Sequence, residues 1–93
     1  MKVKVRLSSL LRHFGELTSE PDAIEVSAPS ALECLQDLVH RFPSIRQYVY
    51  DKEGKLQPFI MFFVNGEKLL ANEFTRPLKD GDELFVLLAF AGG

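Results

Sequence analysis

The sequence predicts a single α+β domain in which a mixed sheet of four or five strands packs on one main helix. Two alternating segments lie near the start of the chain, one clear amphipathic helix occupies its middle, and three further strand segments follow. Strand pairs at both ends with a helix between them favour a sheet covered on one side by that helix. A chain of 93 residues suits one domain over residues 1–93, because a domain commonly takes roughly 100–200 residues.

The first strand follows from a strict alternation of charged and apolar residues over residues 2–7. Val3, Val5 and Leu7 share one face of such a strand, and the three cations between them share the other. Residues 8–15 fit either one helical turn or a packed loop. Turn-forming residues at 18–22 lead into a second alternating segment at 23–27, so we predict a hairpin of the first two strands.

The central helix is the clearest element of the sequence. Ser30 and Glu33 have the spacing of a capping box, in which each side chain satisfies a free backbone N–H of the first turn. Pro43 ends the helix, and Cys34 lies at the edge of its apolar stripe. That stripe consists of Ala31, Leu32, Leu35, Leu38, Val39 and Phe42.

The second half of the chain alternates strands with polar turns. Residues 44–50 are apolar on one side and predict a second short helix, and residues 51–55 predict a polar turn. The apolar segment 59–64 precedes Asn65-Gly66, which favours a type I′ hairpin turn into a short strand near residues 67–70. A turn at Asp80-Gly81 precedes the last strand, residues 83–88. This strand can lie centrally beside the first one, as in a β-grasp fold.

Composition and charge exclude several classes of function. Eleven Lys and Arg oppose thirteen Asp and Glu, and the net charge of −2 does not indicate a nucleic-acid-binding protein. The longest apolar runs, 59–64 and 84–91, are too short to cross a bilayer. The single cysteine rules out an internal disulfide framework, and no secretory signal opens the sequence. We therefore expect a cytoplasmic protein that binds neither nucleic acid nor a membrane.

Residues that could carry catalysis or hold a metal are scattered along the sequence. His13 and His40 have no Cys, Asp or Glu at metal-ligand spacing, so we predict no metal site. Cys34 fits a small buried apolar residue better than a nucleophile. No Gly-rich loop leads from a strand into a helix, which excludes a phosphate-binding loop.

The end of the sequence, Ala91-Gly92-Gly93, is its most informative feature. Glycines lack a Cβ, so they can thread a narrow channel and adopt any backbone angle there. The five residues 89–93 reach about 17 Å when extended. We predict that they form a flexible tail whose terminal carboxylate is activated by a partner enzyme. A frayed terminus without function is the alternative.

These features strongly resemble the MoaD/ThiS family of ubiquitin-like sulfur carriers, which includes the small subunit of molybdopterin synthase. The resemblance covers nearly the whole chain. It is carried by the β-grasp order of elements, Val64-Asn65-Gly66, Thr75, Leu78, the Asp-Gly-Asp-Glu of residues 80–83, and the terminal Ala91-Gly92-Gly93.

The resemblance implies a carrier or co-substrate rather than an enzyme, with no bound cofactor, although the chain could act as the small subunit of a synthase. A ubiquitin-activating-type adenylyltransferase would use ATP to adenylate the terminal carboxylate. A sulfur donor would then convert it to a covalent thiocarboxylate on Gly93, with Gly92 giving access. A sulfur-accepting synthase subunit, of the molybdopterin type, would consume that thiocarboxylate.

Two departures from the family pattern bear on the acceptor. Many relatives have proline or valine just before Ala-Gly-Gly, whereas this chain has Leu88-Ala89-Phe90. The segment 44–59 is longer than in the shortest carriers, and its later part resembles carriers that serve cysteine synthesis and some archaeal modifiers. One alternative function is a ubiquitin-like modifier joined to target lysines through the same glycine. Another is an adaptor domain that never uses its terminus.

Strand alternation predicts a partner surface on the side of the sheet away from the helix. If Ile60, Phe62 and Val64 face the helix, the residues between them face outward, and the last strand alternates in the same way. A contiguous exposed apolar patch usually marks a protein interface. The alternatives are that residues 44–56 fold over it or that a dimer hides it. The predicted partner site consists of Met61, Phe63, Phe85, Leu87, Lys4 and Arg6, together with the tail residues Phe90 and Ala91.

Overall fold

A computed structural model of the chain describes residues 2–89, and within them five strands form one mixed sheet. The strands are β1 (Val3–Leu7), β2 (Ile24–Val26), β3 (Ile60–Val64), β4 (Glu67–Lys68) and β5 (Glu83–Leu88). The α-helices of this part of the chain are α1 (Ser9–Phe14), α2 (Ala31–Arg41) and α3 (Arg46–Val49), and short 3₁₀ turns occupy Pro43–Ile45 and Ala71–Glu73. The architecture is the β-grasp arrangement that the sequence predicts.

The first and last strands form the parallel centre of the sheet, whose strand order is β2-β1-β5-β3-β4. Val5 of β1 lies beside Leu84 of β5, and Leu7 lies beside Val86. Along its other edge β5 pairs antiparallel with the whole of β3. The prediction that the last strand lies centrally beside the first is therefore confirmed.

Residues 8–15, which fitted either a helical turn or a loop, form helix α1 and its caps. The Ser8 hydroxyl accepts hydrogen bonds from the backbone N–H of Leu11 (3.4 Å) and from that of Leu88 (3.1 Å). Leu11 is fully buried, so the helix packs against the core. β1 and β2 pair antiparallel as predicted, but α1 makes their connection much longer than a simple hairpin turn.

Helix α2 begins at its predicted cap, although the capping box differs from the expected one. The Ser30 hydroxyl accepts from the backbone N–H of Glu33 at 3.3 Å, as predicted. The Glu33 carboxylate instead accepts from the Ser30 hydroxyl at 3.2 Å. A further N–H of the first turn, that of Leu32, donates to the Phe74 carbonyl at 3.1 Å. This bond ties the start of the helix to the segment that leads into β5.

The hydrophobic core lies between the inner face of the sheet and α2. Leu35, Leu38 and Cys34 of α2 are fully buried. Ile45 and Val49, from the segment predicted to form a second short helix, are buried in the same core. The inward residues of the sheet complete it: Val3, Val5, Leu7, Val26, Ile60, Phe62, Val64, Leu84, Val86 and Leu88.

The Asn65-Gly66 turn has positive φ at both residues, 50° and 87°, which is the requirement of the type I′ turn that was predicted. The Asn65 side chain also joins this turn to the one before β5. Its carbonyl accepts from the backbone N–H of Glu83, and its amide donates to the Asp82 carboxylate, both at 3.0 Å. A hydrogen bond from the Lys79 N–H, followed by the one from Asn65, lowers the pKa of Asp82 below its usual value.

Replacing Leu35 or Leu38 with alanine tests the position of the helix over the sheet. Each change removes most of a fully buried side chain and leaves a cavity in its place. It should lower the free energy of unfolding by about 2–5 kcal/mol. That is a large share of the roughly 5–15 kcal/mol of a small domain. Urea denaturation measures it. The matched control is Glu33→Ala, which removes one partly buried hydrogen bond and should cost about 1 kcal/mol. If Glu33→Ala lowered the free energy of unfolding as much as the leucine changes do, the position of the helix over the sheet would be contradicted.

Candidate functional site

Alternation along β3 and β5 gives the sheet an inner and an outer face. In β3, Ile60, Phe62 and Val64 are buried against the core, whereas Met61 and Phe63 are partly exposed on the other side. β5 alternates in the same way, with Phe85 and Leu87 partly exposed. The predicted orientation of both strands is therefore confirmed.

The four outward apolar residues, Met61, Phe63, Phe85 and Leu87, form one patch, which we call the outer patch. Met61 pairs across the strands with Leu87, and Phe63 pairs with Phe85. The two phenylalanine rings are 6.2 Å apart at an angle of 47°. Both side chains are half-buried, whereas the sequence predicts exposed ones.

A shallow cavity of about 570 Å³ lies over the outer patch, and Arg6, Phe63, Phe85 and Leu87 contribute to its lining. Among the described residues, none from the segment 44–56 lines it. That segment instead places Ile45 and Val49 in the core on the other side of the sheet. The alternative in which it folds over the patch is therefore wrong.

Two cations of β1 flank the outer patch. Arg6 lies beside Phe85 in the parallel pair, and its Nε is 3.8 Å from Glu83 Oε1, with both side chains more than half exposed. Lys4 is exposed and forms no ion pair with any residue between 2 and 89. Exposed ion pairs contribute little to stability. Because the Arg6–Glu83 pair is weak and Lys4 pairs with no described residue, both cations are accessible to an acidic group of a partner.

Leu70 is an exposed residue at this site that the sequence analysis did not include. The backbone N–H of Leu69 donates to the Phe62 carbonyl at 2.8 Å, which continues the β3–β4 pairing and places Leu70 across from Met61. Its side chain is 63% exposed. The sequence contained the information that places Leu70, because the type of the Asn65-Gly66 turn fixes which residues of β3 and β4 pair.

The predicted tail leaves the sheet at the Met61–Leu87 end of the outer patch. The N–H of Ala89, the first residue assigned to the tail, donates to the Phe59 carbonyl at 2.9 Å, so the sheet holds this residue. Phe90, Ala91, Gly92 and Gly93 lie outside the described residues.

Comparison with known proteins gave matches among solved structures, whereas no family model and no curated protein matches. A chain of the Amycolatopsis orientalis BexX/CysO complex is 32% identical, with a TM-score of 0.74, over 98% of this chain and 99% of that one. The chain belongs to the ubiquitin-like sulfur carrier family that its sequence resembles.

Two further members of this structural group share its fold. The small archaeal modifier protein 1 from Methanosarcina acetivorans is 23% identical, with a TM-score of 0.82, over 99% of this chain and 96% of that one. Subunits 1 and 2 of the molybdopterin-converting factor from Helicobacter pylori form a complex in which the matched chain is 17% identical, with a TM-score of 0.62 over all of both chains. At these identities the likeness shows a shared fold.

Cys34 does not have the properties of a sulfur-carrying thiol in this member of the family. Its side chain is fully buried. Burial, and then the nearby carboxylates of Asp37 and Glu33, raise the pKa of the thiol from 9.0 to about 11. The thiol is therefore protonated at neutral pH and a poor nucleophile.

The described part of the chain contains neither a metal-binding cluster nor a membrane-spanning helix. Between residues 2 and 89, no three His, Cys, Asp or Glu side chains come together as a metal-binding group. Over the same residues, no helix has the length and apolar character that crossing a bilayer requires.

Phe62→Ala and Phe63→Ala separate the core from the outer patch. Phe62 is fully buried, and its ring packs edge-on against that of Phe74, with ring centres 4.8 Å apart. Its replacement by alanine should cost about 3–5 kcal/mol of stability. Phe63→Ala should change stability less but weaken binding to a partner that covers the patch. A central aromatic residue typically contributes about 2 kcal/mol or more, or roughly thirtyfold in affinity. Melting temperature and partner affinity of the two variants, measured together, check this. If Phe63→Ala lowered the melting temperature and Phe62→Ala weakened only partner binding, the proposed interface would be on the wrong face of the sheet.

The pH dependence of stability reports the burial of Cys34. The folded state keeps the thiol protonated up to about pH 11, whereas the unfolded chain loses the proton near pH 9. Stability should therefore be complete below about pH 9 and fall as the pH rises toward about 11. Urea denaturation across this range measures the loss. Cys34→Ala is the control, since it keeps every other titrating group and should show a smaller decline; an equal decline would contradict the burial of the thiol.

Proposed function

We propose that this chain is a sulfur carrier that delivers sulfur as a thiocarboxylate on Gly93. The observation that carries the proposal is full-length membership of a carrier family in a sequence that closes with Gly92-Gly93. The carboxylate attacks ATP and releases pyrophosphate to give an acyl-adenylate. Hydrosulfide supplied by a donor then attacks the acyl carbon, AMP leaves with the oxygen of the bond that breaks, and the thiocarboxylate remains.

The outer patch supports this function as the surface that an activating enzyme and an acceptor would bind in turn. It combines four apolar side chains with two accessible cations, and it lies on the sheet from which the tail leaves. One protein surface can therefore cover the patch while a channel in the same protein takes the tail. The partners would be a ubiquitin-activating-type adenylyltransferase and a sulfur-accepting synthase subunit.

The acceptor that the sequence resemblance favours is a molybdopterin precursor held by the large subunit of a synthase. The shared fold with a chain of the molybdopterin-converting factor complex supports a subunit of this kind. The thiocarboxylated protein, mixed with such a large subunit and the precursor, should return to its carboxylate mass. Retention of the sulfur in this assay would exclude this acceptor. The carrier proposal would then be tested with serine-derived substrates, because residues 54–59 resemble carriers that serve cysteine synthesis.

A ubiquitin-like modifier is the second candidate, favoured by the shared fold with small archaeal modifier protein 1. Both functions use the same acyl-adenylate and differ only in the nucleophile that attacks it. A sulfur donor gives the carrier, and a lysine amine gives an isopeptide bond to another protein. Immunoblots of lysate from the native cells separate them, since a ladder of conjugates indicates the modifier and free protein alone indicates the carrier.

Changes at Gly93 test the activated terminus directly. Deleting Gly93, or adding one alanine after it, should abolish ATP–pyrophosphate exchange by the activating enzyme, because the reacting carboxylate is displaced from its position. The melting temperature should stay nearly unchanged, since chain ends contribute little to stability. Activity that survives either change would exclude both the carrier and the modifier.

Intact-protein mass spectrometry of material from the native cells provides the complementary measurement. A carrier should show a species heavier by the mass difference between sulfur and oxygen, on a chain that ends at Gly93. Cys34→Ala should form the same species, because the buried thiol takes no part. Loss of this species in the variant would place the added mass on Cys34, as one oxygen atom on an oxidised thiol, and contradict the proposal.

A further inference from the structure

The position of Ala89 limits how far the activating enzyme can be from the folded domain. This argument rests on the proposed function, in which Gly93 is the reacting residue. The hydrogen bond from the Ala89 N–H to the Phe59 carbonyl ties Ala89 to the sheet. The four residues beyond it span at most about 14 Å when extended. An enzyme that reacts with Gly93 must therefore contact the surface around Ala89.

Helix α1 forms part of that surface. The Ser8 N–H donates to the Val86 carbonyl at 2.9 Å, and the Ser8 hydroxyl accepts from the Leu88 N–H at 3.1 Å. These two bonds attach the start of α1 to the last residues of β5. Leu10 follows in the first turn of the helix, so it lies next to the point at which the tail leaves the sheet.

The exposed side of α1 contains two large apolar residues, Leu10 and Phe14, together with the polar residues Ser9 and His13. Leu10 is 37% exposed and Phe14 is 36% exposed, and between residues 2 and 89 only one other large apolar side chain, Leu70, is exposed to this degree. Residues four apart in a helix share one face. Phe14 also stacks on Tyr48, with ring centres 5.2 Å apart at 22°, which extends the apolar surface onto α3.

The cation of α1 is directed to its own chain. Arg12 donates to the Asp22 carboxylate and to the Glu20 carbonyl, both at 2.8 Å, and its side chain is mostly buried. The face that contains Leu10 and Phe14 therefore presents mainly hydrocarbon and aromatic surface, with the His13 ring 6.0 Å from that of Phe14 at its edge. Such a surface is complementary to an apolar partner surface rather than to a charged one.

We propose that Leu10 and Phe14 form a second contact with the activating enzyme, separate from the outer patch. They pack on an apolar surface at the entrance of the channel that takes the tail. The outer patch binds from the face of the sheet, and α1 binds beside the end of β5. Together the two contacts hold the base of the tail while its carboxylate reacts.

Glutamine and methionine at position 10 provide a matched test, because they have similar size and differ in polarity. The assay is ATP–pyrophosphate exchange by the ubiquitin-activating-type enzyme of the source organism, with the full-length protein as the varied substrate. Leu10→Gln should raise KM roughly tenfold and leave kcat nearly unchanged, since it removes apolar contact made equally before and during the reaction. Leu10→Met should keep KM within about twofold of the original. Melting temperatures of both variants should stay close to that of the parent, because more than a third of the side chain is exposed.

The outcomes separate this proposal from the proposed function. Exchange with the parent protein and an unchanged KM for Leu10→Gln would overturn the second contact alone. Equal increases in KM for Leu10→Gln and Leu10→Met would also overturn it, because polarity would then not decide binding. No exchange with the parent protein would overturn the proposed function, and this contact with it.

Discussion

The pairing of β5 with both β1 and β3 is the constraint on which the rest of this structure depends. It joins residues about 80 positions apart into the parallel centre of the sheet. Its inward residues, Leu84, Val86 and Leu88, complete the core, and full burial of a side chain of this size contributes roughly 1.5–3 kcal/mol. Its outward residues complete the outer patch. Its end places the base of the tail beside Phe59 and Ser8.

In the function proposed here, the two faces of the sheet separate stability from recognition. The inner face is buried under α2, whereas the outer face keeps Phe63 and Phe85 partly open beside Arg6. Because successive residues of a strand point to opposite sides, neighbouring positions can serve different purposes without conflict. The two ends of the sheet also differ. Asn65 and Asp82 tie the turns together at one end, and the chain continues toward Gly93 from the other.

Cys34, the single cysteine, is not an activated nucleophile. The single thiol is buried with a raised pKa. The surface instead offers places to bind: the outer patch, its two cations and the apolar side of α1. In the function proposed here, the domain would position a carboxylate and the enzymes that bind it would supply the reacting groups.

The sequence by itself determined the strands, the cap of α2, the Asn65-Gly66 turn and the face on which each strand residue lies. These features depend on residue period, on capping spacing and on backbone preferences, which are local properties. The terminal glycines and the family resemblance likewise come from the sequence alone, since residues 90–93 lie outside the described structure. Only the tertiary structure decided that Ser8 caps a helix, because its hydroxyl also bonds Leu88, 80 residues away. It also decided that Phe63 and Phe85 are half-buried and that α1 lies beside the last residues of β5. Contacts between distant residues depend on how the elements pack, and no local pattern in the sequence records that packing.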